Sequence, residues 1–312
     1  MARTKKTEGA RKRLLRRVRK QRLKYITILP SLITILNGVC GFAAIVFAAK
    51  GDIPPKNRFE LSYFAISGYM ILLAMIADML DGRLARMSKN TSSFGGQLDS
   101  LCDIISFGVA PAFLMLEVLQ EYDLAGAVKP NVTFENFLHR FVWLAAAAYI
   151  SCAAIRLARF NVENEEDESA HMIFVGLPTP GAAGVVVSLI IFHQEIILPE
   201  ISGGETPAYL NFCESAIIYA LPFLVLGVAV LMVSRVRYPH ILNQYIKGKK
   251  PFTHLIRLLF LLFVIWWSRQ AALVLIFCGF AASSVVKWLY YKVIRKRETV
   301  LPALEQATKQ ES

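Results

Sequence analysis

Disulfide and thiolate-metal chemistry are the first things this sequence leaves out. Its five cysteines (Cys40, Cys102, Cys152, Cys213 and Cys278) show no CxxC and no Cys/His ligand spacing. Four of them fall in apolar stretches, where cysteine acts as a small hydrophobe. Acidic residues are the scarcer charge, 23 against 35 Lys and Arg, and the excess is local. Residues 1–24 hold twelve Lys or Arg and one Glu, so the remainder is close to neutral. That arm has no aromatic residue before Tyr25 on which a base would stack, which argues against nucleic acid as its partner. Attraction to anionic lipid is the expected role. The basic run is too long for a signal n-region and no A-x-A site follows, so no cleavable signal peptide is expected. There is also no fixed-period repeat and no stretch that reads as a soluble domain.

What the sequence does have is apolar length. Hydrophobic residues make up 55% of the 312, high for a soluble domain. Runs near 20 residues, enough to cross the hydrocarbon core as a helix, recur at about 30–49, 61–80, 98–118, 141–158, 181–198, 214–234, 253–268 and 270–293. The expected fold is therefore all-α and polytopic, with about eight transmembrane helices, since lipid offers no partner for unpaired backbone groups. A cytoplasmic N-terminus places 29 of the 35 Lys and Arg on the cytoplasmic side, as the positive-inside rule requires. Both termini and the 81–97 segment then face the cytoplasm. The organisation expected is a basic arm (1–24), a membrane domain (25–235), a C-terminal helical hairpin (236–293) and a polar tail (294–312).

One segment puts ionisable groups where they are costly. Asp78 and Asp81 are three residues apart, Asp99 and Asp103 four apart, so on helices each pair shares a face. The polar segment MSKNTSSF lies between them as a turn, so two helices can offer four carboxylates to one volume. Facing carboxylates take up protons or bind cations, and oxygen-only ligands suit Mg²⁺, Mn²⁺ or Ca²⁺. Paired ions on bridging carboxylates are a common device for phosphoryl chemistry. Gly82 and Gly95 leave room for a ligand or a neighbouring helix, and the guanidinium of Arg86 suits a phosphate. A solvated charged loop would account for Asp81, Arg83, Arg86 and Lys89. It does not account for Asp78, Asp99 and Asp103, which lie further into apolar sequence.

The string D-x2-D-G-x2-A-R-x8-G-x3-D-x3-D runs through Asp78, Asp81, Gly82, Ala85, Arg86, Gly95, Asp99 and Asp103. At every position and gap it resembles the signature of the CDP-alcohol phosphatidyltransferases, over about residues 25–235. The resemblance implies a six-helix core, usually a homodimer, that uses two divalent cations to transfer a phosphatidyl group from a CDP-linked lipid to an alcohol, releasing CMP. The hairpin 253–293 lies beyond that core. Further stretches are similar to the membrane-integral phosphatidylserine synthases: Ile104–Ala112, Ala158-Arg159-Phe160-Asn161, Phe174–Pro180, and Pro30-x3-Thr34-x2-Asn37-x3-Gly41. They imply CDP-diacylglycerol as donor and L-serine as acceptor.

By the same resemblance, Asp78, Asp81 and Asp99 would be metal ligands, with Asp78 and Asp99 bridging. Asp103 would bind one metal and act as general base. Gly82, Ala85, Arg86, Ser92 and Gly95 would line the CDP-lipid. Thr34 and Asn37 are nucleotide-contact candidates, although an asparagine in an apolar run also serves to hydrogen-bond a neighbouring helix. Arg156 and Arg159, one turn apart, are candidates for serine's carboxylate or the lipid phosphate, or are ordinary positive-inside arginines. Expected partners are these substrates, membrane lipids and a second copy of the chain. The expected location is a bacterial or archaeal cell membrane, with the site cytoplasmic. Two alternatives stay open: another acceptor alcohol (inositol phosphate, glycerol phosphate or choline), and an ion- or proton-coupled transporter.

Overall fold

The computed structural model describes residues 31–51, 61–88, 93–121, 132–166, 173–199, 208–234, 236–239 and 268–283, with 285, 286 and 290. The basic arm, Ser92, the apolar stretch 253–267 and the polar tail lie outside the described residues, as do the side chains of Ala85 and Arg86. Helix α1 covers Ser31–Ala48. Helix α2 covers Tyr63–Ser88, α3 Ser93–Asp103, α4 Ala110–Glu121, α5 Val132–Glu166, α6 Thr179–Phe192 and α7 Ala208–Val233. A shorter apolar helix, α8, covers Arg269–Ser283. Helices α3 and α4 are one rod joined by a π-helical segment, Ile104–Val109, and α6 ends in a second, His193–Ile197.

Six of these rods are long and apolar enough to cross a membrane. The all-α, polytopic expectation holds, and the third span, which begins in polar sequence, is a continuous helix from Phe94 to Glu121. In the last apolar stretch the described helix covers Arg269–Ser283, and residues 285, 286 and 290 are helical as well.

The core is built on α6 and the α3–α4 rod, where 72% and 67% of the spans are buried, against 33% for α1 and α5. Phe64 and Ile71 from α2, Phe107, Leu114 and Met115 from the central rod, Tyr149 from α5, Ile190 from α6 and Leu221 from α7 are fully enclosed. The outer faces carry Leu32, Leu36 and Phe42 on α1 and Trp143 and Leu144 on α5. Hydrocarbon-exposed leucine and tryptophan carry no penalty in lipid, so the outward face is as apolar as the core.

One irregular feature was not expected. After α5 and after α7, strands β1 (Ile173–Val175) and β2 (Arg237–Pro239) pair antiparallel, with Phe174 opposite Tyr238. Gly176 closes this ribbon with φ +86°, and a Cβ there would run into the Met232 carbonyl oxygen. Only glycine meets both conditions. The Gly176 and Leu177 amides donate to the carbonyls of Val236 (2.8 Å) and Leu231 (3.0 Å). Pro178 and Pro180 of the same GLPTP run then lead into α6, where their missing N–H groups cost nothing. Alternation of the spans puts the ribbon at the same end of the bundle as the α2–α3 connection.

Candidate active site

Helix α2 delivers Asp78 and Asp81, and α3 delivers Asp99 and Asp103, all at the end of the bundle where those two helices meet. The apolar body of α2 and the apolar rod that α3 opens pack into the bundle, and that packing fixes the rotation the carboxylates follow. Oxygens of Asp78, Asp99 and Asp103 lie within 4.8 Å of one another. Asp78 and Asp99 are half-buried and Asp103 is 7% exposed. Asp81 stands outside that tight trio; it is 4% exposed and hydrogen-bonded by the Thr34 side chain and the Gly82 amide.

The donor set suits a hard divalent cation. Among the described residues, buried Asp81 Oδ2 and Asp99 Oδ1 have no hydrogen-bond partner. Orphaned buried oxygens beside like charges are stable only with a positive partner or a proton. Three convergent carboxylates with no nitrogen or sulfur among them favour Mg²⁺, Mn²⁺ or Ca²⁺ over softer metals. Gly82 is exposed, and a Cβ on it would meet nothing within 4 Å, so the backbone beside Asp81 is open to a ligand.

A second set of side chains holds the trio in place. Asn37 of α1 is fully buried, and its Nδ2 donates to Asp103 Oδ1 at 2.8 Å. Ser106, in the π-helical segment, donates from Oγ to the Asn37 carbonyl at 2.9 Å. The fully buried Tyr149 donates from its hydroxyl to the Phe107 carbonyl at 3.0 Å. A π turn widens the helix and leaves carbonyls off their usual partners, and such turns are frequent at functional sites. Here the turn starts at the residue after Asp103 and is braced by hydroxyls from itself and from α5. On the opposite flank, Asn161 Nδ2 donates to Ser100 Oγ at 2.9 Å, tying α5 to the residue that follows Asp99.

The sequence had pointed to most of these positions, with different weights. Asn37 hydrogen-bonds a neighbouring helix, and that helix carries Asp103. Arg156 is half-buried and Arg159 exposed, both on α5, five and two residues before Asn161. Gly95 is half-buried in the first turn of α3. Ser106, Tyr149 and the Ser100–Asn161 pair had no assigned role. Ser106 and Asn161 lay in stretches marked by resemblance alone, and for Tyr149 and Ser100 the signal was a hydroxyl in or beside an apolar run.

A family model described as CDP-alcohol phosphatidyltransferase matches residues 27–236. The chain belongs to the CDP-alcohol phosphatidyltransferase family. It is thus an integral membrane enzyme, and the Asp-rich end of α2 and α3 lies within the matched residues of this CDP-alcohol phosphatidyltransferase. A curated relative from Helicobacter pylori (strain ATCC 700392 / 26695), named CDP-diacylglycerol--serine O-phosphatidyltransferase, is 30% identical over 85% of this chain and 93% of its own length. The protein of the same name from Methanocaldococcus jannaschii is 29% identical over 71% of this chain and 78% of its own. That from Saccharomyces cerevisiae is 34% identical over 50% and 51%.

Proposed function

We propose that this enzyme transfers the phosphatidyl group of CDP-diacylglycerol to the hydroxyl of L-serine, giving phosphatidylserine and CMP. The observation that carries the reading is the convergence of Asp78, Asp99 and Asp103 within 4.8 Å, at the end of membrane helices, in a chain whose curated relatives are named for that reaction.

The residues present assign the parts. Asp78, Asp81, Asp99 and Asp103 hold two divalent cations, Mg²⁺ or Mn²⁺. When bound, these supply charge stabilisation to a diphosphate and to its leaving group. Asp103 takes the proton of the serine hydroxyl, a poor nucleophile until it is removed. The serine oxygen forms a bond to the phosphorus that bears diacylglycerol. The bond from that phosphorus to the bridging oxygen breaks, and CMP leaves with the electron pair. The open backbone at Gly82 takes the cytidine diphosphate, with Ala85, Arg86, Ser92, Gly95 and Thr34 around it. Arg156 and Arg159 meet serine's carboxylate or the lipid phosphate through planar, bidentate contacts. Burial of the trio in protein rather than lipid keeps water scarce around the reacting phosphorus.

The remaining assignments belong to the same proposal. The site faces the cytoplasm of a bacterial or archaeal cell, where free serine and CDP-lipid are available, and the distribution of Lys and Arg supports that orientation. The enzyme works as a homodimer, which light scattering of the purified protein in detergent measures. The deciding assay gives purified enzyme CDP-diacylglycerol and Mg²⁺ or Mn²⁺ with labelled serine, glycerol phosphate, inositol phosphate or choline in parallel. Label from serine alone should enter lipid. Label from another acceptor and none from serine would overturn the choice of acceptor. Absence of metal-dependent CMP release with every acceptor would overturn the reaction itself.

A further inference from the structure

We infer that Asn37 is a positioning residue for Asp103: its amide sets the orientation of the carboxylate that accepts the acceptor-hydroxyl proton, and it is not primarily a nucleotide contact. The inference rests on Asp103 being the base, and it adds a role that the family signature, which begins at Asp78, does not contain.

Asn37 and Asp103 are 66 positions apart, buried, and joined at 2.8 Å. An ionised carboxylate only accepts, so the nitrogen side of the amide must face it. The terminal torsion of an aspartate is broad, and a lone carboxylate would sample many orientations. One oxygen held by Asn37 removes that freedom. The backbone that carries this amide is itself held: the Asn37 main-chain carbonyl accepts from Ser106 Oγ at 2.9 Å, and Ser106 lies three residues after Asp103 on the same rod. The two hydrogen bonds run in opposite directions between α1 and the α3 rod, so neither helix can rotate without breaking one. Asn37 Oδ1 is buried with no partner among the described residues. That oxygen is the atom through which a direct nucleotide contact would be made, so the two roles are separable.

The test uses full-length enzyme in detergent and compares the parent with Asn37→Leu and with Asn37→Ser, which makes no steric demand. Four quantities are read: kcat and KM for CDP-diacylglycerol at saturating serine, CMP affinity in Mg²⁺ by calorimetry, and the thermal midpoint. A positioning role predicts kcat about 100-fold lower, the scale of a misplacement near 1 Å. KM and CMP affinity should stay within about twofold, because only an interaction specific to the transition state is lost. Unchanged kcat, or CMP affinity weakened about tenfold with kcat preserved, overturns the inference and assigns Asn37 to the nucleotide or to neither. Failure of both variants to fold also overturns it, leaving a purely structural residue. Asp103→Asn run alongside separates the two claims. If it is fully active, the proposed base is wrong; if it is inactive while Asn37→Leu keeps the parental rate, only the positioning role falls.

Discussion

Gly41 of α1 and Ser106 of the π-helical segment approach so closely that a Cβ on Gly41 would lie 2.6 Å from the Ser106 Cα. The obstruction is backbone, which cannot swing aside. Gly41→Ala should therefore push α1 off the central rod and lengthen the Asn37–Asp103 hydrogen bond. Overpacking of this kind costs about 1–3 kcal/mol, and displacing Asp103, the proposed base, should lower kcat about 100-fold. Thermal melting and CMP release together check it, and a normal rate at lowered stability would show that the site tolerates the shift.

Asp103→Asn keeps shape and removes the proposed proton acceptor. Turnover should fall about 10²- to 10⁴-fold with the melting temperature near that of the parent. The measurement is initial rate of CMP release. Full activity would remove Asp103 from the chemistry.

Metal removal should silence the enzyme reversibly. A chelator should abolish CMP release, and added Mg²⁺ or Mn²⁺ should restore it. Asp78→Asn and Asp99→Asn, each removing one of the trio, should raise the metal concentration for half-maximal rate by about tenfold or more, since even an outer partner of a ligand is worth that much. Activity that persists through exhaustive chelation would sink the metal assignment.

Gly176→Ala places a side chain on a backbone at φ +86° and against the Met232 carbonyl. The strain alone is worth about 1–3 kcal/mol. The ribbon between β1 and β2 should open and the melting temperature drop, because the Gly176 and Leu177 amides lose their acceptors together. An unchanged midpoint would show that the ribbon adds nothing to stability.

Helix α8 lies C-terminal to the residues matched by the family model and is fastened to α6 at two levels. A Cβ on Gly184 would lie 2.6 Å from Phe277 Cγ, and Gln270 donates to the Glu195 carboxylate, which also accepts from Tyr69. Gly184→Leu should displace α8, lower the melting temperature and expose the α6 face to proteolysis or crosslinking, with the aspartate end of the bundle still competent for CMP release. Loss of activity with α8 still bound would show a link between α8 and the site that the contacts do not account for.

Several features of this protein follow from the chain itself. The apolar runs require helices, because lipid cannot hydrogen-bond an open backbone. The spacing Asp78, Asp81, Asp99 and Asp103 requires two helix faces of carboxylate, since three and four residues are one helical turn. Eight fixed positions in that stretch identify the family before any coordinate is known. Local periodicity and spacing are properties of a sequence, so these were legible.

Contacts between distant segments are not. Nothing local pairs Asn37 with Asp103 or Asn161 with Ser100, and nothing local shows that Ser106 braces α1. The π turn after Asp103 takes a hydrogen bond from Tyr149 of α5, and the ribbon depends on two distant segments meeting. Which three of the four aspartates close to within 4.8 Å was decided by how α2 and the central rod rotate against each other. Packing of large and small side chains across whole helices sets that rotation, and it exists only once the bundle has assembled.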